Sequence, residues 1–303
     1  MTPETTSSKK DTLAIILAAI LWGTSFLFVK TSVDYFQDFF VGLFYRMLFA
    51  FLTSIIAFLI INFRILRTNL FYFKRPSVYI LSILNIGGYF FQFLGATWTI
   101  SSKIALLINA TAIFVPIISY FLLKENFNYK KVVGIFIGVI GLIFLTTGGN
   151  FQTLLEGEFL GDLFCLIGGL FWAFYIVLSR KLLHDGKTDY KPLNVALSTT
   201  ILSFIFLIPL VPFYSGFLSP TFTFTLQIWL ELLYMGIFCT VLAYILYFAG
   251  MRSISATSAA FILLLEPTIA VILGIILLSE VFTIFSIIGA FLILGAIIIV
   301  NLS

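Results

Sequence analysis

The chain has 303 residues, of which 61% are hydrophobic and only 10% are charged. A soluble domain of this length cannot bury so much apolar surface in one core, so the composition predicts an integral membrane protein. The formal net charge of +4 is spread over short connections, which gives no support to nucleic-acid binding because that function requires a basic patch on a soluble face.

Ten apolar stretches have roughly the ~20 residues that are needed to cross a ~30 Å hydrocarbon core. Numbered as spans 1 to 10, they cover approximately residues 13–30, 39–62, 77–98, 104–123, 132–147, 159–179, 194–214, 226–250, 255–278 and 281–301. Charged residues, glycine and proline punctuate the connections between them, for example at Arg75-Pro76 and Lys191-Pro192. The sequence therefore predicts an all-α membrane protein with ten transmembrane helices.

The second half of the chain repeats the first. The matching segments are LWGTSF (21–26, followed by Lys30) with FWAFYI (171–176, followed by Arg180), YFFQFLG (89–95) with YILYFAG (244–250), and Lys124-Glu125 with Ser279-Glu280. Each repeat holds five spans, so the second repeat enters the membrane from the opposite side, as in the inverted repeats of many secondary transporters. We expect the repeats to occupy residues 12–147 and 159–301.

The positive charges predict the orientation. If the N-terminus is cytoplasmic, only Lys30 and Lys103 lie outside the cell. The cytoplasmic set is Lys9, Lys10, Arg64, Arg67, Lys74, Arg75, Lys124, Lys130, Lys131, Arg180, Lys181, Lys187, Lys191 and Arg252. The positive-inside rule therefore predicts a multi-pass protein of the cell membrane with both termini in the cytoplasm.

Several short motifs together resemble the EamA-type drug/metabolite transporters. They are Trp22-Gly23-Thr24-Ser25-Phe26 in span 1, Tyr45-Arg46-Met47 in span 2, Lys124-Glu125, the glycine-rich span 5, Leu265-Glu266-Pro267 in span 9 and Ser279-Glu280. The resemblance covers about residues 12–301 and rests on the combination and spacing of these motifs. It implies a central cavity surrounded by spans 1–4 and 6–9, with spans 5 and 10 at the periphery. It also implies export of small metabolites, often amino acids, although other branches carry sugars, nucleotide sugars or phosphorylated sugars.

One departure from exact repetition concerns proline. Ala112 stands where the second repeat has Pro267, and the proline of the first repeat, Pro116, lies about one turn later. A kink in span 4 therefore need not mirror the kink in span 9.

A polar and aromatic stripe recurs in the two repeats. Its members are Asn85, Tyr89 and Gln92 in span 3 and their counterparts Thr240, Tyr244 and Tyr247 in span 8. The spacing i, i+4, i+7 places each set on one helix face. Such stripes either line a substrate cavity or hydrogen-bond neighbouring helices to each other, and we favour the cavity because polar groups inside a membrane tend to face an interior or a water-filled path.

Trp22 and Trp172 occupy equivalent places near the middle of spans 1 and 6. Membrane tryptophans usually lie at the interface, so a central pair serves either core packing or the walls of a substrate site. The candidate substrate-binding residues are Trp22, Asn85, Tyr89, Gln92, Asn109, Trp172, Tyr244 and Tyr247.

Arg46 and Glu266 are ionisable residues in the interior of spans. A charge at the bilayer centre costs several kcal/mol, roughly 2.5–3.5 on insertion scales, so Glu266 should be paired, protonated or in contact with a wet cavity. It could couple transport to protons or bind a cationic group. We favour instead a structural role, in which it pairs with Arg46 or accepts hydrogen bonds from the backbone near Pro267.

Glycines suggest close helix packing in spans 5 and 10. Gly134 and Gly138 in span 5 have GxxxG spacing. Span 5 also contains Gly141, and span 10 contains Gly289 and Gly295. These glycines suit either packing within the chain or a homodimer through spans 5 and 10.

The sequence offers no sign of an enzyme. The single histidine, His184, lies beside Asp185 in a loop, and no pair of base and nucleophile lies within the spans. We expect no metal or cofactor site, and Cys165 and Cys239 are interpreted as packing residues. A channel or a structural membrane protein is the alternative of another class, but a channel typically has filter-like backbone segments or rings of charge.

The expected partners are the lipid bilayer and a small-molecule substrate, and no nucleic acid. The spans lack the cluster of lysine and arginine that phosphate recognition favours. We therefore expect neutral or zwitterionic metabolites, amino acids first, moved by alternating access and exported. Transport of sugars or nucleotide sugars is the alternative.

Overall fold

The computed structural model describes residues 9–62, 72–99, 101–156, 158–184, 190–214, 225–278 and 283–301, and all regular secondary structure in these ranges is helical. Nine of the helical stretches described are long and apolar enough to cross a membrane, and Ile284–Val300 is a shorter apolar helix. The predicted all-α architecture of ten spans is confirmed. Glu280 and Asp185, which entered the sequence argument, lie outside the described residues.

Six spans are single helices and four are composite. Span 1 is Lys9–Phe36, span 2 Phe39–Asn62, span 3 Pro76–Ala96, span 5 Tyr129–Thr147, span 6 Phe159–His184 and span 10 Ile284–Asn301. Span 4 consists of Ser101–Ile108 and Thr111–Leu123, and span 9 of Ala256–Leu263 and Leu265–Leu278. Span 7 is Pro192–Leu207 followed by the 3₁₀ turns Ile208–Phe213, and span 8 is Leu226–Gly236, the π-helical Ile237–Leu242 and Ala243–Gly250.

Local sequence explains where several helices begin and end. Pro76 and Pro192 each open a helix, at a position where a missing backbone N–H costs nothing. The Asn128 side chain caps span 5 by accepting a hydrogen bond from the Lys131 backbone N–H at 3.0 Å. Gly148 ends the same helix in the left-handed conformation, with φ of 59°.

Six of the spans form two groups, each of which contains spans of both repeats. Span 1 packs most extensively against spans 8 and 9, and span 6 packs in the same way against spans 3 and 4. We refer to spans 1, 8 and 9 as the first bundle and to spans 3, 4 and 6 as the second bundle. Spans 2 and 7 pack against each other and against both bundles, and spans 5 and 10 pack against each other. Exchange of repeat 1 for repeat 2 reproduces this pattern, which is the signature of a pseudo-two-fold axis.

Spans 4 and 9 are interrupted at equivalent places, next to Asn109 and Leu264. The two breaks therefore mirror each other, although Pro116 and Pro267 do not occupy equivalent positions. Pro267 explains the break in span 9 because its nitrogen cannot donate to the carbonyl four residues earlier.

In span 4 the proline is not the cause of the break, since Pro116 lies inside the second helical segment. The Asn109 side chain instead donates to the Ala105 carbonyl at 3.0 Å. Span 6 also approaches the broken turn closely at Gly169, where an added methyl group would lie 2.9 Å from the Leu107 carbonyl oxygen. The break in span 4 is therefore explained by the close packing of span 6, and not by a proline.

The glycines of span 5 and Gly289 of span 10 serve packing within the chain. A methyl group at Gly141 would lie 2.9 Å from the Gly289 carbonyl oxygen, and one at Gly138 would lie 3.3 Å from Leu264. Gly295 differs, because a methyl group there would have no neighbour within 4 Å. A homodimer through these two spans stays a prediction that these internal contacts do not support.

We expect Gly289→Ala to destabilise the protein and Gly295→Ala, on the same helix, to leave its stability unchanged or slightly higher. The added methyl group at Gly289 would overlap the backbone nitrogen of Leu145 and lie 2.6 Å from the Gly141 carbonyl oxygen. Overpacking of this kind costs about 1–3 kcal/mol. Melting temperatures of the two variants in the same detergent measure the difference, and equal values would contradict the close contact.

Candidate functional site

A small cavity lies where spans 1, 2, 3, 4, 6, 8 and 9 converge, and its volume is about 60 Å³. Its lining residues are Trp22, Ser25, Phe26, Arg46, Tyr89, Gln92, Ile108, Asn109, Thr111, Trp172, Tyr175, Ile176, Tyr247, Leu263 and Glu266. Roughly 10–15 Å³ is needed for each water molecule, so this space holds only a few waters. A metabolite enters only if the walls move apart.

Aromatic pairs related by the repeat lie at the cavity, one in each bundle, and in each pair the tryptophan lines it. Trp22 packs edge-on against Tyr244 with ring centroids 5.3 Å apart, and Trp172 packs edge-on against Tyr89 at 4.9 Å. The first pair belongs to the first bundle and the second pair to the second bundle. Tyr175 joins the two pairs, since its ring lies 5.7 Å from that of Tyr244 and 5.7 Å from that of Trp172. Both predicted roles of the tryptophans, packing and cavity wall, are compatible with this geometry.

Arg46 is 1% exposed and is held against the π-helical turn of span 8. Its Nε donates to Thr240 Oγ1 at 3.2 Å, and its Nη2 donates to the Tyr89 hydroxyl at 3.1 Å and to the Cys239 carbonyl at 3.4 Å. The guanidinium also lies 4.3 Å from the centre of the Tyr89 ring, a cation–π contact. Thr240 itself donates to the Met235 carbonyl, five residues earlier, at 2.9 Å. The π-helical turn thus provides the acceptors that fix the arginine.

Glu266 lines the cavity and is 9% exposed. Within the described ranges its carboxylate forms no hydrogen bond and no ion pair, with Arg46 or with the backbone near Pro267. The contacts that a structural role requires are therefore not observed. The counterpart of Glu266 in the first repeat is Thr111, which also lines the cavity.

The structure brings most of the candidate site residues to the cavity. Those that line it are Trp22, Tyr89, Gln92, Asn109, Trp172, Tyr247, Arg46 and Glu266. Asn85 and Tyr244 are buried at 1% exposure but do not line it. Tyr244 packs against Trp22, and neither amide atom of Asn85 has a hydrogen-bond partner in the part of the chain described.

Sequence reasoning missed part of the lining. The missed residues are Ser25, Phe26, Ile108, Thr111, Tyr175, Ile176 and Leu263. Helical spacing carried a signal for four of them, because Ser25 and Phe26 follow Trp22 by three and four residues, as Tyr175 and Ile176 follow Trp172. Thr111 was detectable only as the repeat counterpart of Glu266.

Equivalent contacts join the two bundles at the two ends of the molecule. We call the end that holds Lys9 the terminal side and the end that holds Ala96 the far side. On the far side, Lys30 Nζ donates to the Ala96 carbonyl at 3.2 Å. On the terminal side its counterpart, Arg180, donates to the Met251 carbonyl at 2.8 Å. At each end of the molecule, a cation from span 1 or 6 therefore ties one bundle to the end of span 3 or 8 in the other bundle.

Glu125 adds a second contact between the bundles on the terminal side. Its carboxylate accepts hydrogen bonds from the backbone N–H groups of Ala256 at 2.8 Å and Thr257 at 3.3 Å, and from the Thr257 hydroxyl at 2.7 Å. These groups form the first turn of span 9, where the positive end of the helix dipole favours an anion. The end of span 4 is thereby fixed to the start of span 9.

Comparison with known proteins assigns the whole chain to one class. The profile described as the EamA-like transporter family matches residues 10–147 and 159–302. An uncharacterized transporter of Archaeoglobus fulgidus is 30% identical over 93% of this chain and 94% of its own length. A probable amino-acid metabolite efflux pump of Salmonella typhimurium is 24% identical over 95% of this chain and 93% of its own.

A protein of known crystal structure has the same fold. It superposes with a TM-score of 0.75 over 98% of both chains, at 19% sequence identity. At this level of identity the likeness concerns the architecture alone.

We expect Glu125→Ala to lower the melting temperature, because three donors at the start of span 9 lose their acceptor. Loss of such a cap costs about 0.5–2 kcal/mol. Glu125→Gln keeps one acceptor oxygen and should fall between the wild type and the alanine variant. Asn126→Ala, at the exposed neighbouring position, is the control, and a loss as large as that of Glu125→Ala would show that the cap has no special role.

Proposed function

Because this chain belongs to the EamA-like transporter family, we propose that it moves small neutral or zwitterionic metabolites, amino acids first, across the cell membrane by alternating access. The observation that carries this proposal is the central cavity, which is lined by both bundles and lies between equivalent contacts that join the bundles at the two ends of the molecule. A site of this kind can be opened to either side without being rebuilt.

The moving units of the proposed cycle are the two bundles, each of which contains spans of both repeats. Release of Lys30 from Ala96 opens the cavity to the far side while Arg180 and Glu125 keep the terminal side closed. Release of the terminal-side contacts, with Lys30 in place, opens the opposite path. Substrate binding shifts the populations of these states, because the walls formed by Trp22 and Trp172 move with different bundles.

The cavity lining supports a small substrate of low net charge. Arg46 is the one cation and Glu266 the one anion among the lining residues. A nucleotide sugar or sugar phosphate requires several cations around its phosphates, and no lining residue besides Arg46 can serve. The name of the Salmonella typhimurium relative, an efflux pump for amino-acid metabolites, also favours amino acids over sugars.

The orientation follows from the charge distribution of the sequence. We place the terminal side in the cytoplasm, since this leaves only Lys30 and Lys103 outside. Glu125 and Arg180 then lie on the cytoplasmic side, and the name of the Salmonella typhimurium relative, a probable efflux pump, supports export as the net direction of transport.

Tyr89→Phe, Gln92→Ala or Tyr247→Phe should reduce transport while leaving the fold intact, because the buried rings of Tyr89 and Tyr247 are kept. Loss of about 1–3 kcal/mol of substrate contact corresponds to roughly a 5- to 150-fold loss of affinity. Flux of radiolabelled amino acids into proteoliposomes measures the effect, and Tyr120→Ala, at a position that is 51% exposed on the outside of the bundle, is the control.

The same assay separates the alternatives. Saturable flux that requires these residues supports a transporter, whereas an unsaturable leak indicates a channel and no flux indicates a structural protein. Parallel loss of flux and melting temperature in the lining variants would instead favour a packing role for the stripes.

A cysteine at position 89 should react with a water-soluble thiol reagent in at least one state of the cycle. The cysteine is introduced into a protein that also carries Cys165→Ala and Cys239→Ala, so that neither native free cysteine can react with the reagent. A cysteine at position 93, one turn along the same helix and outside the lining, should stay protected. Protection of both positions under all conditions would show that water does not reach the cavity.

A further inference from the structure

We propose that Arg46 and Glu266 are two opposite charge poles that recognise a zwitterion, with Arg46 Nη1 binding the substrate carboxylate and Glu266 binding the substrate ammonium. This inference rests on the function proposed above and names the groups that select its substrate. No ion pair joins the two residues in the described part of the structure, so neither charge is compensated by the other.

The contacts that anchor Arg46 leave one of its guanidinium nitrogens without a partner among the described residues. Nε and Nη2 are occupied by Thr240, Tyr89 and Cys239. Nη1 is buried and has no hydrogen-bond partner among the described residues, yet Arg46 lines the cavity. An unpaired buried donor is unfavourable, and a charged one more so. A carboxylate at Nη1 satisfies it with a charge-assisted hydrogen bond.

Glu266 offers the complementary pole. Its carboxylate is 9% exposed and lines the same cavity without an internal partner within the described residues. It lies next to the interruption of span 9 at Leu264, where the broken helix gives the side chain access to the centre of the bundle. An ammonium group at Glu266 neutralises a negative charge that the membrane interior disfavours.

Most of the cavity surface around these poles is apolar, although Gln92 and Asn109 also line it. Trp22, Phe26, Trp172 and Leu263 contribute to the lining, so the part of the ligand between or beside its charged groups is expected to be apolar. A zwitterion compensates both poles at once. A ligand with only one charge leaves the other pole uncompensated in a site with little water, where unpaired charges are most costly.

The unmodified protein provides the first test. Each of the twenty standard L-amino acids is titrated against purified protein, and binding is followed by tryptophan fluorescence, since Trp22 and Trp172 line the cavity. The amino acid that binds most tightly is then compared with its amide, which lacks the carboxylate, and with its N-acetyl derivative, which lacks the ammonium. We expect each derivative to bind about 10- to 100-fold more weakly. Equal affinity for all three, or no binding by any of the twenty, would overturn the proposal.

Two variants then assign each pole. In Arg46→Gln the amino acid should lose its advantage over the amide, and in Glu266→Gln it should lose its advantage over the N-acetyl derivative. Purely structural damage predicts a different pattern, in which all three ligands weaken together. Arg46→Lys should restore part of the preference for the carboxylate, because a cation remains. If Arg46→Gln does not fold, the comparison of derivatives on the wild type and on Glu266→Gln still decides.

Binding and flux are measured separately, so the two proposals can fail separately. Zwitterion-selective binding without flux in proteoliposomes would contradict the proposed transport and leave the charge poles standing. Flux that ignores the amide and N-acetyl changes would contradict the charge poles and leave transport standing.

Discussion

The structure depends on one constraint, which is that a charge inside a membrane-spanning bundle must find its partners within the protein. Arg46 shows how the chain meets it. An ordinary α-helix offers no spare backbone carbonyl, but the π-helical turn Ile237–Leu242 presents that of Cys239. The same turn places Thr240 against Nε. The π-helical turn of span 8 therefore supplies the acceptors that the buried guanidinium of Arg46 requires.

The symmetry of the repeats builds the scaffold, whereas the charges of the site break it. The Trp–Tyr pairs and the Lys30 and Arg180 contacts occur in both halves. Glu266, in contrast, has Thr111 as its counterpart. A symmetric scaffold allows two states of similar energy, and an asymmetric site holds a substrate in one orientation through both.

The sequence was sufficient for the ten spans and for about half of the cavity residues, because apolar length and helical spacing determine both. It did not reveal which residues of a stripe reach the cavity. Spacing identifies a helix face, but the packing of neighbouring helices determines which residues of that face reach the cavity. Trp22 lines the cavity, for example, whereas Tyr244, which packs against it, does not. The π-helical turn also shifts the helical register before Tyr244, so a period of 3.6 does not carry across it. The sequence did not predict the break in span 4, because this break depends on the close approach of Gly169 in span 6 and not on Pro116.

The most direct test of the alternating cavity is a pair of distance measurements by double electron–electron resonance in nanodiscs. One spin-label pair at positions 35 and 97 reports on the far side, and a second pair at positions 181 and 252 reports on the terminal side; all four side chains are exposed. Addition of the amino acid that binds should shift the two distance distributions in opposite directions, because closing one side between the bundles opens the other. Distances that shift in the same direction, or that do not respond to a bound ligand, would contradict the account.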